Sequence, residues 1–456
     1  IKEALKVITG IIRAHLGEGV PLYHNYPASL PLTPFDIAGT EEFLDFQGID
    51  AYPRRTSYHS LRRGVKFAST VSRLPVLTEF GSGGIYFGPP VDSRDMSFTT
   101  RAALMHGIRG INFYMLIERE RWYGSPVKRC GGVRESRYEF YRQLLREIEC
   151  WGLEGMRCRR EVLLMLPRDY ERLASAATIP CPMNSLIQEF TGGPQRTADL
   201  FISEDPFCSG EPVPARYARL AGFWYWALTA AGTHFGIGDD SLDPGALTAY
   251  RAVIVPTFGF MSEGLQRTLI GYAREGGRVL VGPRAPQVDQ YMVPCRVLAK
   301  HMREPGGSGP ATISGMEFEE VLFFEDGGGS DTASFRYTVP IGEGSLTHIG
   351  LIPQPLHSPE DVLPFVPVLV EILEASGIEP SFVPGDPGVD VAVWEGKGRT
   401  VVFVANPTSR SLETEVTGVG EGPFREFGTG GETEGCGTFR VSLEPYSIKA
   451  FERSAD

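Results

Sequence analysis

Two different hydrophobic patterns alternate along the first 150 residues. Amphipathic stretches with a period near 3.6 residues predict helices at 2–16, 39–46, 58–72, 93–107 and 136–149. Short apolar runs between them predict strands at 21–27, 48–53, 75–79 and 110–116. Strands that are separated by helices usually pair in parallel. The pattern therefore predicts consecutive strand–helix units, each strand ending in polar, aromatic or turn residues.

A second α/β region is predicted from residue 156 to residue 384. It contains apolar runs typical of strands at 161–167, 252–256, 277–282 and 345–352, and helical patterns at 214–231, 262–275 and 359–376. This order of strands and helices favours a flavodoxin-like layer. From residue 385 the hydrophobic period falls to two, which is typical of short antiparallel strands. The region 385–456 is therefore predicted to be a small β-sandwich.

Composition places the chain among ordinary globular proteins. Its 456 residues are 42% hydrophobic and 22% charged, a length that suits about two to four domains. The net charge of −12 argues against nucleic acid and anionic membranes as partners. The seven cysteines are scattered and form no CxxC pair. They argue against a disulfide framework or a zinc site, so we expect a cytoplasmic protein without metal or cofactor.

Glu79 closes the predicted strand at 75–79, just before a glycine-rich loop that begins at Gly81. In a (β/α)8 barrel, catalytic carboxylates lie where a rigid strand meets the substrate-binding loops. The glycines allow that loop to turn sharply. The alternative is a carboxylate that caps the next helix or pairs with an arginine, and spacing alone does not separate the two.

Polar and aromatic side chains gather at the predicted strand ends and in the loop beyond the last of them. Aromatic rings stack on the apolar face of a sugar while polar groups bind its hydroxyls, so this set predicts a sugar site around Glu79. Taken singly, each residue has a structural alternative, such as a turn at Tyr52 or a core histidine at His24. The predicted substrate-binding residues are His24, Asp50, Tyr52, Asn112, Tyr114, Glu118 and Trp122.

Two segments carry a resemblance to a known group of enzymes. The run "PVLTEFGSGG", followed by "GIRGINFYMLIERERWYGSPV", resembles the last two barrel strands of β-galactosidases of glycoside hydrolase families 35 and 42. The run "GIDAYP" is similar to the preceding strand. The resemblance implies the second half of a (β/α)8 TIM barrel over 1–155, an amidotransferase-like α/β oligomerisation domain over 156–384, and a C-terminal β-sandwich over 385–456.

The same resemblance implies a retaining exo-β-glycosidase whose nucleophile is Glu79. Such an enzyme needs a second carboxyl group as general acid/base, and in this family that group is a Glu after an Asn at the end of the fourth barrel strand. Residues 1–150 contain no such Asn-Glu pair, and Ile1 already lies inside a helical pattern. We therefore expect a missing N-terminal half of the barrel to supply the acid/base, and a homo-oligomer, dimer or trimer, to form through the middle domain.

Other functions stay open at this point. The archaeal hybrids of families 35 and 42 that resemble this chain include exo-β-D-glucosaminidases, which act on chitosan oligosaccharides. An amino sugar favours an additional carboxylate near its ammonium group, for which Asp50, Glu118 and Glu120 are candidates. A non-catalytic carbohydrate-binding or scaffold protein is the alternative from another class.

An amidase that uses the middle domain is the third alternative. True amidotransferases place a nucleophilic cysteine at a tight turn between a strand and a helix. The predicted strands at 252–256 and 277–282 are not followed by cysteine, and Cys208 and Cys295 have no nearby histidine in the sequence. The sequence therefore favours a structural, oligomerising role for this domain.

Overall fold

The computed structural model describes residues 2–27, 36–85, 90–178, 213–325, 334–433 and 437–454. These residues divide into two compact units. One unit combines the residues up to Arg159 with those from Pro380 onward, and the other holds Arg160–Glu379. The division into three domains stays a prediction. Cys208, which was weighed as a nucleophile, lies outside the described residues.

Helices and strands are numbered here in chain order. The α-helices are α1 (Lys2–Leu16), α2 (Ile37–Thr40), α3 (Tyr58–Val71), α4 (Ser93–Met105), α5 (Glu135–Trp151), α6 (Arg168–Thr178), α7 (Val213–Ala230), α8 (Glu263–Arg274) and α9 (Val366–Glu374). Short 3-10 helices cover Arg55–Ser57, Pro244–Ala249, Ala299–His301 and Pro359–Phe365.

The strands of the first half of the chain are β1 (Tyr23–Pro27), β2 (Phe46–Ala51), β3 (Val76–Gly81), β4 (Gly84–Ile85), β5 (Gly110–Tyr114), β6 (Trp122–Tyr123), β7 (Arg157–Cys158), β8 (Val162–Met165) and β9 (Phe235–Gly238). Those of the second half are β10 (Ala252–Thr257), β11 (Arg278–Pro283), β12 (Gly307–Ile313), β13 (Met316–Phe323), β14 (Arg336–Ile341), β15 (Gly344–Ile349), β16 (Leu351–Pro353), β17 (Val383–Pro384), β18 (Asp390–Gly396), β19 (Arg399–Asn406), β20 (Leu412–Thr417), β21 (Arg425–Glu426), β22 (Thr438–Leu443) and β23 (Ser447–Ser454). The mixed α/β class predicted from the sequence is confirmed.

The first unit is built around a parallel sheet with the strand order β1-β2-β3-β5. Helix α3 presents Leu61, Val65 and Ala68 on one buried face, and Leu61 and Val65 line a cavity together with Ile49 and Leu77 of the sheet. Helix α4 contacts α3. All strands of this sheet run in the same direction, so their carboxyl ends meet at one edge. That edge carries the residues singled out in the sequence.

The helix predicted over 39–46 is wrong. Helix α2 ends at Thr40, and the chain enters β2 at Phe46. The reason is the buried carboxylate of Glu41, which accepts hydrogen bonds from the backbone N–H groups of Gln47, at 3.1 Å, and Arg73, at 2.8 Å. A charged group that is satisfied by backbone donors fixes the turn and outweighs helix propensity.

The C-terminal strands of the first unit form two antiparallel sheets, ordered β17-β20-β22 and β21-β23-β19-β18-β7. Strand β22 alternates strictly between exposed and buried side chains, the period of two expected of a sheet with one face in a core. Val402, Val404, Phe439 and Phe451 fill that core.

A buried ionic centre joins these strands to α3 and α4. Asp390, on β18, accepts hydrogen bonds from the Tyr58 hydroxyl, at 2.6 Å, and from Arg62, at 3.1 Å, and its Oδ2 lies 3.3 Å from His106 Nε2. Burial opposes ionisation, but Arg62 and then His106 and Lys66 hold the pKa of Asp390 well below its ordinary range. Burial also lowers the pKa of His106 to about 3. The centre therefore pairs a carboxylate with a guanidinium inside the protein.

The second unit contains a sheet ordered β14-β15-β11-β10-β8-β9, parallel except for the antiparallel edge strand β14. Every residue of β8 and β10 is buried, as expected for parallel strands that are covered on both faces. A smaller antiparallel sheet, β12-β13-β16, completes the unit.

Tyr170 closes the crevice where such sheets usually bind ligands. That crevice lies at the carboxyl ends of the strands where the chain reverses its order, here between β8 and β10. The Tyr170 hydroxyl donates to the Phe260 carbonyl at 2.9 Å and accepts from the Phe258 N–H at 2.7 Å. Its ring stacks on Tyr217 at 4.1 Å. The unit's own side chains thus occupy this position.

Candidate active site

Strand β3 brings Glu79 to the carboxyl edge of the first unit's sheet. Its neighbours Leu77 and Phe80 are buried, whereas Glu79 is half-buried. The register of β3 shifts at this point against both β2 and β5. Such an irregularity re-aims a side chain relative to regular alternation. No local sequence pattern predicts this shift.

Two hydrogen bonds hold the carboxylate of Glu79. The Asn25 side-chain amide donates to Oε1 at 3.2 Å, and the Tyr52 hydroxyl donates to Oε2. Burial, and after it the hydrogen bond to Glu79, raises the pKa of Tyr52. Tyr52 therefore stays a hydroxyl donor throughout the physiological range.

Asn25 was left out of the predicted substrate-binding set, although it stands beside His24 at the same strand end. Adjacent residues of a strand face opposite sides of the sheet. His24 instead contacts Gln47, whose side chain lies 3.3 Å from its Nδ1, and burial lowers the pKa of His24. A role for His24 in substrate binding stays a prediction.

Asp50 is the cross-strand neighbour of Glu79. Burial raises the pKa of Asp50 to about 6, the negative charge of Glu79 adds to the rise, and the Thr78 hydroxyl, which donates to Asp50 at 3.4 Å, works against it. Two carboxyl groups thus share this edge of the sheet.

Three aromatic rings form a wall beside these carboxyl groups. The ring of Tyr52 lies 6.4 Å from Tyr114 and 6.1 Å from Trp122, and the last two are 5.1 Å apart. Trp122 is 8% exposed, and its indole N–H donates to the Ser82 carbonyl at 2.8 Å, whereas Tyr52 is 47% exposed. Tyr52 is therefore more accessible than Trp122, which is the buried ring of the two.

Arg119, which was not among the predicted site residues, contacts this wall. Its guanidinium lies 5.3 Å from the centroid of the Tyr114 ring and donates to the Tyr114 hydroxyl. Arg119 is exposed at the edge of the loop between β5 and β6. No spacing pattern in the sequence marks it, because the loop around it contains three further charged residues within four positions.

Asn112 and Glu118 are engaged with the protein itself. The Asn112 amide donates to the Thr78 carbonyl at 2.9 Å and so ties β5 to the irregular part of β3. Glu118 pairs with Arg134 at 2.8 Å and accepts from the Gly124 N–H. Partial burial alone would raise the pKa of Glu118, but these contacts together lower it. Substrate contacts by either residue stay a prediction.

Comparisons with known proteins identify structures with a similar fold. Residues 219–321 match the family described as "GLMA-like, second domain". No curated protein matches the sequence. Among solved structures, a catalytic mutant of Gan42B, a GH42 β-galactosidase from G. stearothermophilus, superposes with a TM-score of 0.69 at 14% identity, over 97% of this chain and 65% of that chain.

Two further solved structures are also similar in fold. The β-galactosidase from Bacillus circulans sp. alkalophilus has a TM-score of 0.69 at 15% identity, over 99% of this chain and 66% of that one. The α-L-fucosidase isoenzyme 2 from Paenibacillus thiaminolyticus has a TM-score of 0.59 at 12% identity, over 100% and 71%. The chain thus spans about two thirds of the length of these β-galactosidases, and the resemblance predicted from the sequence is confirmed for the fold.

The residues that the structure describes, 2–27, 36–85, 90–178, 213–325, 334–433 and 437–454, also bear on other kinds of site. No helix within them is long and apolar enough to cross a membrane. No group of three or more His, Cys, Asp or Glu side chains within the same residues is arranged to hold a metal ion.

Proposed function

We propose that this chain contributes the nucleophile of a retaining exo-β-glycosidase of the β-galactosidase type, which hydrolyses terminal, non-reducing β-linked sugars. The observation that supports it is the setting of Glu79, a strand-end carboxylate oriented by Asn25 and Tyr52 beside an aromatic wall. The fold shared with β-galactosidases is in agreement with it. In this proposal β1, β2, β3 and β5 are the last four strands of a (β/α)8 barrel.

The chemistry assigned to Glu79 is attack on the anomeric carbon. Its carboxylate oxygen forms a bond to that carbon while the glycosidic oxygen leaves with a proton from a second carboxyl group. Water then displaces the carboxylate, and the second group, now a base, takes the proton from the water. Tyr52 and Asn25 hold the attacking carboxylate in one orientation, which increases the fraction of productive encounters.

The second carboxyl group must lie about 5–5.5 Å from the nucleophile in a retaining enzyme. Glu118 fits this role poorly, because its pKa is lowered and its Oε1 is bound by both Arg134 and the Gly124 N–H. We therefore place the general acid/base on barrel strands outside these 456 residues. The proposal also keeps the homo-oligomer, dimer or trimer, formed through the amidotransferase-like region.

One observation favours an exo-β-D-glucosaminidase as the second candidate. Asp50 adds a carboxyl group beside Glu79, and an ammonium group of an amino sugar placed between them would relieve their repulsion. A galactoside offers no such charge. The choice between the two substrates therefore depends on whether the Asp50 carboxylate lies near the 2-position of the bound sugar.

The decisive experiment uses Glu79→Gln and Glu79→Gly in the full-length protein. We expect both variants to lose several orders of magnitude in hydrolysis of nitrophenyl β-glycosides, because the attacking charge is removed. Azide should enter the space left in Glu79→Gly and yield an α-glycosyl azide. The matched control is Glu149→Gln on the exposed face of α5, which should keep full activity.

A panel of nitrophenyl β-galactoside, β-glucoside, β-fucoside and β-glucosaminide, run on the wild-type protein, identifies the sugar. Near-normal activity of Glu79→Gln would exclude Glu79 as the nucleophile. Sugar binding without any hydrolysis would instead support the non-catalytic alternative.

A further inference from the structure

A cavity of about 470 Å³ lies in the second unit, at the carboxyl ends of neighbouring parallel strands. Phe258 and Gly259 follow β10, Arg284 follows β11, and His348 lies near the end of β15. Ligands of open α/β sheets bind outside the carboxyl ends of the strands. The neighbouring crevice between β8 and β10 is closed by Tyr170, so the cavity is displaced by one strand from that crevice.

The size of the cavity suits a small organic molecule. Ligand pockets typically measure about 300–1,000 Å³ and combine an apolar surface with a few fixed polar groups. Here the buried side chains of Phe258 and Leu322 supply apolar surface, and Val288 and Pro305 extend it towards the rim. This apolar surface can accept the C–H face of a ring.

The wall of the cavity contains equal numbers of positively and negatively charged side chains. They comprise two arginines, Arg284 and Arg303, and two glutamates, Glu304 and Glu320. His348 adds no charge at neutral pH, because burial lowers its pKa to about 4. A charged ligand gains little net attraction from such a wall, whereas hydroxyl groups can both donate to carboxylates and accept from guanidinium groups.

The wall is also held in place before any ligand binds. Arg284 is paired with Glu320 at 3.0 Å. Arg303 stacks 3.9 Å from the Tyr337 ring centroid and donates to the Glu325 carbonyl at 2.6 Å. The His348 Nε2–H donates to the Pro283 carbonyl at 2.6 Å. Side chains that are fixed in this way lose little entropy on binding.

We propose that this cavity binds a neutral sugar of mono- or disaccharide size, as a site separate from Glu79. The proposal depends on the proposed function only for the choice of sugars to test. Gln287 and Ser308 add an amide and a hydroxyl to the wall, so donors and acceptors stand on several sides of an apolar surface. That combination is typical of sugar-binding pockets.

The test is hydrogen exchange of the full-length protein with D-galactose, lactose, D-glucosamine, citrate or inorganic phosphate. A neutral sugar, galactose or lactose, should protect the segments 284–288 and 303–308. Arg284→Gln should weaken the affinity for the sugar, measured from this protection at increasing sugar concentrations, about tenfold or more, as expected for losing a hydrogen bond from a charged donor. The control, Arg267→Gln, removes an exposed arginine from α8 in the same unit and should leave binding unchanged.

A second variant, at Ala285, tests the cavity without removing a charged side chain from its wall. Ala285→Trp fills the cavity, and it should abolish protection of these segments while hydrolysis at the Glu79 site continues. Protection that persists in both variants, or that follows only citrate or phosphate, would overturn the proposal. Protection at 76–81 reports the Glu79 site independently, so a failure of the proposed function is seen separately.

Discussion

Two tyrosines of the first unit, Tyr52 and Tyr58, each donate a hydrogen bond to a carboxylate, with different consequences. Tyr58 donates to Asp390 in a centre that also buries Arg62. Tyr52 donates to Glu79 at an open sheet edge, where the neighbouring charge is the carboxyl group of Asp50.

The difference lies in the partner charge. A guanidinium buried with Asp390 keeps the pKa of that carboxyl low despite burial, so removing either member would leave an uncompensated charge inside the protein. Beside Glu79, burial and a like charge raise the pKa of Asp50 to about 6. A tyrosine hydrogen bond thus accompanies a low carboxyl pKa where opposite charges are buried together, and a raised carboxyl pKa nearby where like charges share a site.

Removing the charge of Asp390 should produce the largest effect. We expect Asp390→Asn to lower the opening free energy of β18 and β19 by about 3–5 kcal/mol, because Arg62 is left buried without its partner. Native-state hydrogen exchange measures this. Glu415→Gln, which removes the partner of exposed Arg440, is the control and should change stability by no more than about 0.5 kcal/mol. A loss below about 1 kcal/mol in the opening free energy would show that the buried ionic centre contributes little to stability.

The two tyrosines can be compared directly. Tyr52→Phe should reduce kcat by about 10–100-fold, the scale of a lost hydrogen bond to a charged group of about 1.5–3 kcal/mol, with little change in Tm. Tyr58→Phe should lower Tm and leave kcat unchanged. Measuring both quantities for both variants tests the contrast, and a shared phenotype would contradict it.

Stability and acidity should be coupled through His106. Its pKa is about 3 in the folded protein against an ordinary 6.5, so below pH 6.5 the unfolded chain binds a proton that the folded protein does not. Stability should therefore fall as the pH drops from about 6.5 towards 3, by about 1.4 kcal/mol per pH unit. Below the ordinary carboxyl range, protonation of Asp390 in the unfolded chain acts in the same direction, because the folded protein keeps this carboxyl ionised. His106→Asn, if it folds, should flatten the upper part of this profile in pH-dependent urea unfolding.

The smallest expected effect concerns Asp50. In Glu79→Gln the like charge is gone, so the pKa of Asp50 should fall by up to about one unit. It should stay above its ordinary value, because burial is the larger cause of the rise. Carboxyl ¹³C shifts of labelled aspartate follow this titration, and an unchanged value near 6 would show that Glu79 does not affect Asp50.

Much of the fold could be predicted from hydrophobic periodicity. The pattern at 2–16 predicts α1 without error, although Val7, Ile8 and Ile11 of this helix are exposed in the structure. The period of two from residue 385 predicts the alternation of β22, which presents one face to a core. The helix predicted at 39–46 was too long, since the contact of Glu41 with Arg73 spans 32 residues, and neither it nor the contact with Gln47, 6 residues away, leaves a periodic trace. The centre around Asp390 was also missed, because its members come from distant parts of the chain.

For the candidate site, the sequence placed Glu79 at a strand end, and the structure adds its partners. The register shift at Glu79 and the hydrogen bond from Asn25 depend on how β1, β2 and β3 align, which no local pattern determines. The inward position of Trp122 follows likewise from its bond to the Ser82 carbonyl.

The short strand β7 has a consequence for the order in which the protein can fold. Residues Arg157 and Cys158 pair with Glu395 and Trp394 on β18, while all of Arg160–Glu379 lies between them in the chain. During synthesis, β7 leaves the ribosome long before its partner exists, and the intervening segment can collapse first. Completing the first unit then requires closure of a very long loop, a step that delays folding more than it reduces final stability. A ribosome stalled at the point where Glu379 has just left the exit tunnel should therefore carry a protease-resistant second unit and a first unit that is still readily cleaved.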